Sequence, residues 1–142
     1  MKISVLGAGG WGTTLGILLH YNGHQVTLWE YKKNYVKELI KKRVNSLYLP
    51  GVNIPQEILI THDLKESVRQ KNLIVLAVPS QFLRSVIEDV SYSDIKNSIL
   101  VSVAKGIENK HLMTMSQMLK DVHPNLSEEQ ILYYKKNGYL VL

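Results

Sequence analysis

Short apolar runs alternate with longer amphipathic stretches along the chain. Ile3, Val5 and Leu6 sit in a run over 3–6 that Gly7 stops, which predicts a parallel strand buried on both faces. Over 13–21 Leu15, Leu18 and Leu19 fall at helical spacing, and Asn22-Gly23 supplies a helix stop. A second strand is predicted over 25–30, through Val26, Leu28 and Trp29. Over 34–44 Val36, Leu39, Ile40 and Val44 return every three or four residues, one face of a helix. Residues 45–55, with Pro50-Gly51 and Pro55, read as a loop, and 58–61 as a third strand. Asp63 is placed to cap a brief helix over 64–70.

The stretch 72–78 is the most hydrophobic and predicts a central strand; Pro79 ends it and Ser80 is placed to cap another helix. A strand over 99–103 leads into Lys105-Gly106, and a Met-rich helix over 111–122 stops before Pro124. Its Met113, Met115 and Met118 suit packing better than ligation. Apolar residues on both sides of Asn137-Gly138 give 131–142 the look of a β-hairpin. The whole is a repeated βαβ pattern, hence an α/β fold with a mainly parallel, doubly wound sheet.

At 142 residues the chain has the length of one domain, here read as 1–142, and can bury a core without staples. The absence of cysteine excludes disulfides, thiolate metal sites and a cysteine nucleophile. His20 and His24 straddle a helix end, so the five histidines carry no metal spacing. The net charge of +5 is concentrated in Lys32, Lys33, Lys37, Lys41, Lys42 and Arg43. These fall off the apolar face of their helix and have no aromatic interleaving, so they read as a solvated face and no nucleic-acid partner is expected. The apolar runs are too short for a signal peptide or a membrane span, and a cytoplasmic location is expected.

Gly7-Ala8-Gly9-Gly10-Trp11-Gly12 fits G-x-G-x-x-G, between a predicted strand and a predicted helix. In that context Gly7 permits the tight turn, Gly9 admits a pyrophosphate, and Gly12 allows close helix–strand packing, while the helix N-terminus offers free N–H groups. Glu30, at the end of the second strand and 18 positions beyond Gly12, suits the ribose hydroxyls of a dinucleotide. Its charge disfavours a 2′-phosphate by about 1–4 kcal/mol at 4 Å. NAD is therefore favoured over NADP, although Lys32 and Lys33 offset part of that. Trp11 has two open readings, a cofactor contact or helix-on-sheet packing.

Several motifs in order resemble those of bacterial NAD(P)-dependent glycerol-3-phosphate dehydrogenases. They are the opening glycine turn with Thr13, Asn22-Gly23-His24-Gln25-Val26-Thr27-Leu28-Trp29, Asn45-Ser46-Leu47-Tyr48-Leu49-Pro50-Gly51, Val78-Pro79-Ser80-Gln81, and Ala104-Lys105-Gly106-Ile107-Glu108. The resemblance covers about 1–130. It implies a Rossmann-type domain of an enzyme interconverting sn-glycerol 3-phosphate and dihydroxyacetone phosphate for glycerophospholipid synthesis.

By the same resemblance Gly10 and Trp11 contact the cofactor, Tyr31 lies near the adenine, Phe82 lies beside the cofactor, and Lys105 lies near the nicotinamide and faces the phosphate substrate. Gly10 stands where the family usually has Ser, which removes a hydroxyl contact to phosphate. Tyr31 stands where many members have a basic residue, which adds to the lean towards NAD. The family's general-base lysine belongs to an all-helical second domain, so no catalytic residue is expected in 1–142. The segment 131–142 matches neither the expected strand nor the turn after it, and truncation or a frameshift is the expectation. The chain alone is then expected to be inactive, with exposed interface surface that favours a homodimer. The alternative is a stand-alone dinucleotide-binding module without catalysis.

Overall fold

A computed structural model describes residues 1–133. Strands whose two faces are both apolar need cover on both sides, and the chain supplies it by crossing over after each strand. In order the elements are β1 (Lys2–Leu6), α1 (Gly10–Tyr21), β2 (Gln25–Trp29), α2 (Lys33–Lys42), β3 (Val44–Asn45), β4 (Leu49–Asn53), β5 (Leu59–Thr61), α3 (Leu64–Val68) and β6 (Leu73–Leu76). There follow α4 (Ser80–Glu88), α5 (Tyr92–Ile95), β7 (Ile99–Ser102), β8 (Ile107–Glu108), β9 (Met113–Thr114), α6 (Met115–Val122), a 3₁₀ turn (Glu128–Gln130) and β10 (Ile131–Tyr133).

Six strands form one sheet in the order β10-β7-β6-β1-β2-β5, parallel throughout. From β1 the chain winds outward through β2 to β5, then returns to the other side of β1 for β6, β7 and β10. The winding thus reverses between β1 and β6, where Leu6 faces Leu76. Open α/β sheets bind ligands beyond the carboxyl ends of the strands at such a reversal. Side-chain alternation divides the core. Ile3, Val5, Val26, Leu28 and Val75 face a layer with Tyr35, Val36 and Leu39 of α2. Leu6, Ile74, Leu76 and Leu100 face Leu83 and Ile87 of α4 and Met115, Met118 and Leu119 of α6.

Several element boundaries differ from the sequence reading. α1 starts at Gly10 instead of residue 13, so the glycines themselves form its first turn. α2 ends at Lys42 because Arg43 turns left-handed (φ 50°) and starts the path into β3. On α2, Ile40 is 47% exposed and Tyr35 takes the inward place assigned to it. The predicted loop 45–55 contains an antiparallel pair, β3 with β4. α3 stops at Val68, before left-handed Gln70, although Asp63 does cap it by accepting from Glu66 N–H at 2.9 Å.

Ser80 is the first helical residue of α4, and its cap position belongs to Pro79, which has no side-chain donor or acceptor. α6 starts at Met115, because Thr114 and Gln117 form a reciprocal capping box and the preceding residues pair with β8. The first arm of the predicted hairpin is a strand, although it pairs with β7. Ile131, Leu132 and Tyr133 pair in parallel with Leu100, Val101 and Ser102, so this segment extends the sheet. The second arm of the predicted hairpin, with Asn137-Gly138, lies outside the described residues.

Candidate functional site

The glycines of the turn after β1 have different physical reasons. Gly7 has φ 110°, and a Cβ there would stand 2.9 Å from the Ala77 carbonyl oxygen and 3.0 Å from Val78 N. It therefore joins β1 to the exit of β6 at the winding reversal. At Gly12 the carbonyl oxygen of Gly7 fills the place of a Cβ, so α1 rests directly on the strand end. Gly9 has an ordinary φ of −69°, and among the described residues nothing lies within 4 Å of a built Cβ. Neither backbone strain nor protein packing explains that glycine, whereas a group approaching from outside does. A Cβ at Gly10 would lie 2.6 Å from the Tyr48 carbonyl oxygen, so the β3–β4 hairpin closes directly against this glycine.

The first bond of α1 runs from Thr13 N–H to the Gly9 carbonyl at 2.9 Å. The N–H groups of Gly9, Gly10, Trp11 and Gly12 have no partner among the described residues. Four donors at the positive end of a helix, beside a position kept free of side chain, suit a diphosphate.

Glu30 follows β2 directly, and its N–H donates to the Thr61 carbonyl at 3.0 Å. The residue is 6% exposed, one carboxylate oxygen accepts from Lys32 N–H at 3.1 Å, and the other has no partner among the described residues. A carboxylate oxygen left open to solvent on an otherwise buried side chain fits a hydroxyl donor such as a ribose. Tyr31 is exposed, with the Lys32 ammonium 5.3 Å from its ring centre. Hydrogen bonding to Tyr31, then its charge, pushes that ammonium's pKa up. Trp11 is 60% exposed and Phe82 64%, so neither is packed into the core, and for Trp11 this disfavours helix-on-sheet packing.

Lys105 is exposed, in the segment that leaves the carboxyl end of β7. The segment after it is tied down by α4. Gln81 donates to the Ile107 carbonyl at 2.8 Å and accepts from Asn109 N–H at 3.1 Å. Arg84 grips Glu108 with two bonds, 2.5 and 3.0 Å, and reaches Asp121 of α6 at 2.7 Å. Gly106, at φ 93°, makes the turn between Lys105 and this clamp. Glu30, the glycine turn, Phe82 and Lys105 thus follow the carboxyl ends of β2, β1, β6 and β7, four adjacent strands.

The Arg84 guanidinium, then the His111 ring, holds the Glu108 carboxyl below the usual range, against the opposing effect of burial. A depressed native pKa stabilises the fold above the unfolded value and loses that contribution as pH falls through the native one. Glu108→Gln is therefore expected to lower the thermal midpoint at pH 7. The gap to the parent chain should close as pH falls from the ordinary 4.5 through the lower native value. Midpoints measured by circular dichroism from pH 7 to pH 3 check this, and a gap that stays constant contradicts the ion-pair account.

Asn45 was not singled out as a site residue, yet it is fully buried between the turn and the hairpin. Gln81 and Glu108 likewise had no individual role, though the motifs that contain them were visible, and Arg84 lies outside every motif. A surface cavity of about 380 Å³ is lined by Asp63, Lys65, Glu66, Arg69 and Gln70 and includes none of the expected site residues. Among the described residues no cluster of three His, Asp or Glu could hold a metal, and no helix is long and apolar enough to cross a membrane.

Residues 2–133 match the family described as NAD-dependent glycerol-3-phosphate dehydrogenase N-terminus. A glycerol-3-phosphate dehydrogenase [NAD(P)+] of Syntrophotalea carbinolica is 45% identical over 133 residues, which is 94% of this chain and 40% of that protein. One from a Thermoanaerobacter species is 49% identical over 125 residues, 88% of this chain and 38% of the relative. The crystal structure of glycerol-3-phosphate dehydrogenase from Coxiella burnetii superposes with a TM-score of 0.80 at 27% identity, over 93% of this chain and 39% of that one. The chain thus spans about 40% of the length of the relatives it matches.

Proposed function

The chain belongs to the family of NAD-dependent glycerol-3-phosphate dehydrogenase N-terminal domains, and from that we propose that it holds the dinucleotide for an oxidoreductase interconverting sn-glycerol 3-phosphate and dihydroxyacetone phosphate. The observation that carries this reading is Gly9. Among the described residues it is a glycine with no conformational or packing cause, set among four unpartnered helix-end N–H groups.

In this reading the N–H groups of Gly9, Gly10, Trp11 and Gly12 bind the diphosphate, and Gly7 and Gly12 shape the turn that presents them. Glu30 accepts from the adenosine ribose hydroxyls. Tyr31 and Trp11 offer exposed rings to the cofactor, and Phe82 borders it. Lys105 meets the phosphate substrate beside the nicotinamide. The bound cofactor supplies the nicotinamide that accepts or donates hydride. The protein's share is to hold that ring in place and to exclude misalignment, which for a well-oriented pair lowers a barrier by about 7–11 kcal/mol. Reduction of dihydroxyacetone phosphate would supply the glycerol backbone of phospholipids.

NAD is the preferred cofactor in this reading. The Glu30 carboxylate leaves no room for the charge of a 2′-phosphate, and Lys32, the adjacent cation, is engaged with Tyr31. Calorimetric titration of the 142-residue chain with NADH and NADPH tests both levels. Binding of NADH at least roughly tenfold tighter than NADPH is expected, about 1.4 kcal/mol. Tighter NADPH overturns the preference, and binding of neither overturns the reading.

A further inference from the structure

Among the described residues, Asn45 is the one side chain that joins the glycine turn to the β3–β4 hairpin by hydrogen bonds at both ends. It is fully buried and uses its whole hydrogen-bonding capacity. The amide nitrogen donates to the Ala8 carbonyl at 2.8 Å and to the Thr13 hydroxyl at 2.7 Å. The amide oxygen accepts from the Tyr35 hydroxyl at 2.5 Å and from Tyr48 N–H at 3.1 Å. Burial pushes the Tyr35 phenol up, which keeps it a donor.

The Ala8 carbonyl belongs to the peptide that carries the Gly9 N–H. In a trans peptide the two point in opposite directions. Holding the oxygen towards Asn45 therefore aims the N–H away from the protein core, to the side where Gly9 leaves open space. The same side chain sets the start of the hairpin, whose Tyr48 carbonyl then leans on Gly10.

We propose that Asn45 is a positioning residue of the dinucleotide site, orienting the Ala8–Gly9 peptide for the diphosphate and seating the hairpin against Gly10. The assignment rests on the cofactor reading given above. It acts through the turn and touches no adenosine contact, so its removal weakens diphosphate ligands and spares the nucleoside. Tyr35→Phe removes one bond on the acceptor side and leaves both bonds to the turn, which makes it the control for lost stability alone.

The experiment is titration of the 142-residue chain and its Asn45→Ala, Thr13→Val and Tyr35→Phe variants with NADH by calorimetry and with adenosine by amide chemical shift, alongside thermal midpoints. The parent chain must bind NADH; if it does not, the cofactor reading fails first and this inference with it. With the parent binding, Asn45→Ala is expected to lose roughly tenfold in NADH affinity, the scale of one buried polar group left unpaired. Adenosine binding should be unchanged. Tyr35→Phe should lower the midpoint while its NADH affinity stays within about twofold. Should Asn45→Ala not fold, Thr13→Val carries the test, with a smaller loss for NADH in the same direction. Equal NADH affinity in the folded turn-side variant and the parent, or equal losses for NADH and adenosine, overturns the proposal.

Discussion

Gly12→Ala is expected to destabilise the domain by about 3 kcal/mol or more, against a total of about 5–15 kcal/mol for domains of this kind. The added methyl would coincide with the Gly7 carbonyl oxygen, and the Ala77 side chain closes the other side at 3.2 Å. Neither neighbour is the free end of a flexible side chain. α1 would have to lift off β1, the central strand, which pairs with both β2 and β6. The helix end that carries the donors would move with it, so dinucleotide binding should fall along with stability. Urea unfolding gives the stability change, and a Gly12→Ala chain within 1 kcal/mol of the parent would show that the helix does not rest on the strand as described.

Gly9→Val carries the opposite signature. Position 9 has an ordinary φ and open space around a Cβ, so the fold should tolerate the change to within about 1 kcal/mol. The branched side chain would stand in the approach to the four N–H groups. A loss of roughly a hundredfold in NADH affinity is expected, about 2.7 kcal/mol. The same two assays serve, and the informative quantity is the contrast. Two glycines of one motif, three residues apart, should separate stability from binding. A Gly9→Val chain that binds NADH as the parent does would remove the diphosphate from this turn.

The sheet was legible because burial on both faces of β1, β6 and β7 forces apolar runs that no surface element shares. The turn was legible because its glycines stand between such a run and a helical period. What the sequence hid were features set by partners far along the chain. The hairpin 44–53 read as a loop because its proline and glycine mask the pattern, while Arg43 holds it from outside by bonding the Pro55 and Ile58 carbonyls at 3.2 and 2.9 Å. Ile40 looked inward by period, but Tyr35 occupies that side because its hydroxyl has a buried acceptor in Asn45. The start of α6 was written in Thr114 and Gln117, a capping signature outweighed by the methionine spacing.

Asn45 itself had no local signal. Its four partners are Ala8, Thr13, Tyr35 and Tyr48, and only the fold brings them together. The motif Asn45-Ser46-Leu47-Tyr48-Leu49-Pro50-Gly51 marked the region through family resemblance without giving the residue a task. Exposure likewise depends on the fold. Trp11 could have been packing or a cofactor contact in the sequence, and its 60% exposure argues against the first.

The central claim is that the turn after β1 and the carboxylate after β2 together hold a dinucleotide. Amide chemical-shift mapping of the 142-residue chain during NADH titration tests it most directly. The account predicts that the largest and saturable shifts fall on Gly9, Gly10, Trp11, Gly12 and Glu30. Shifts confined to the lysine face of α2, or none at these five residues at saturating NADH, would contradict it.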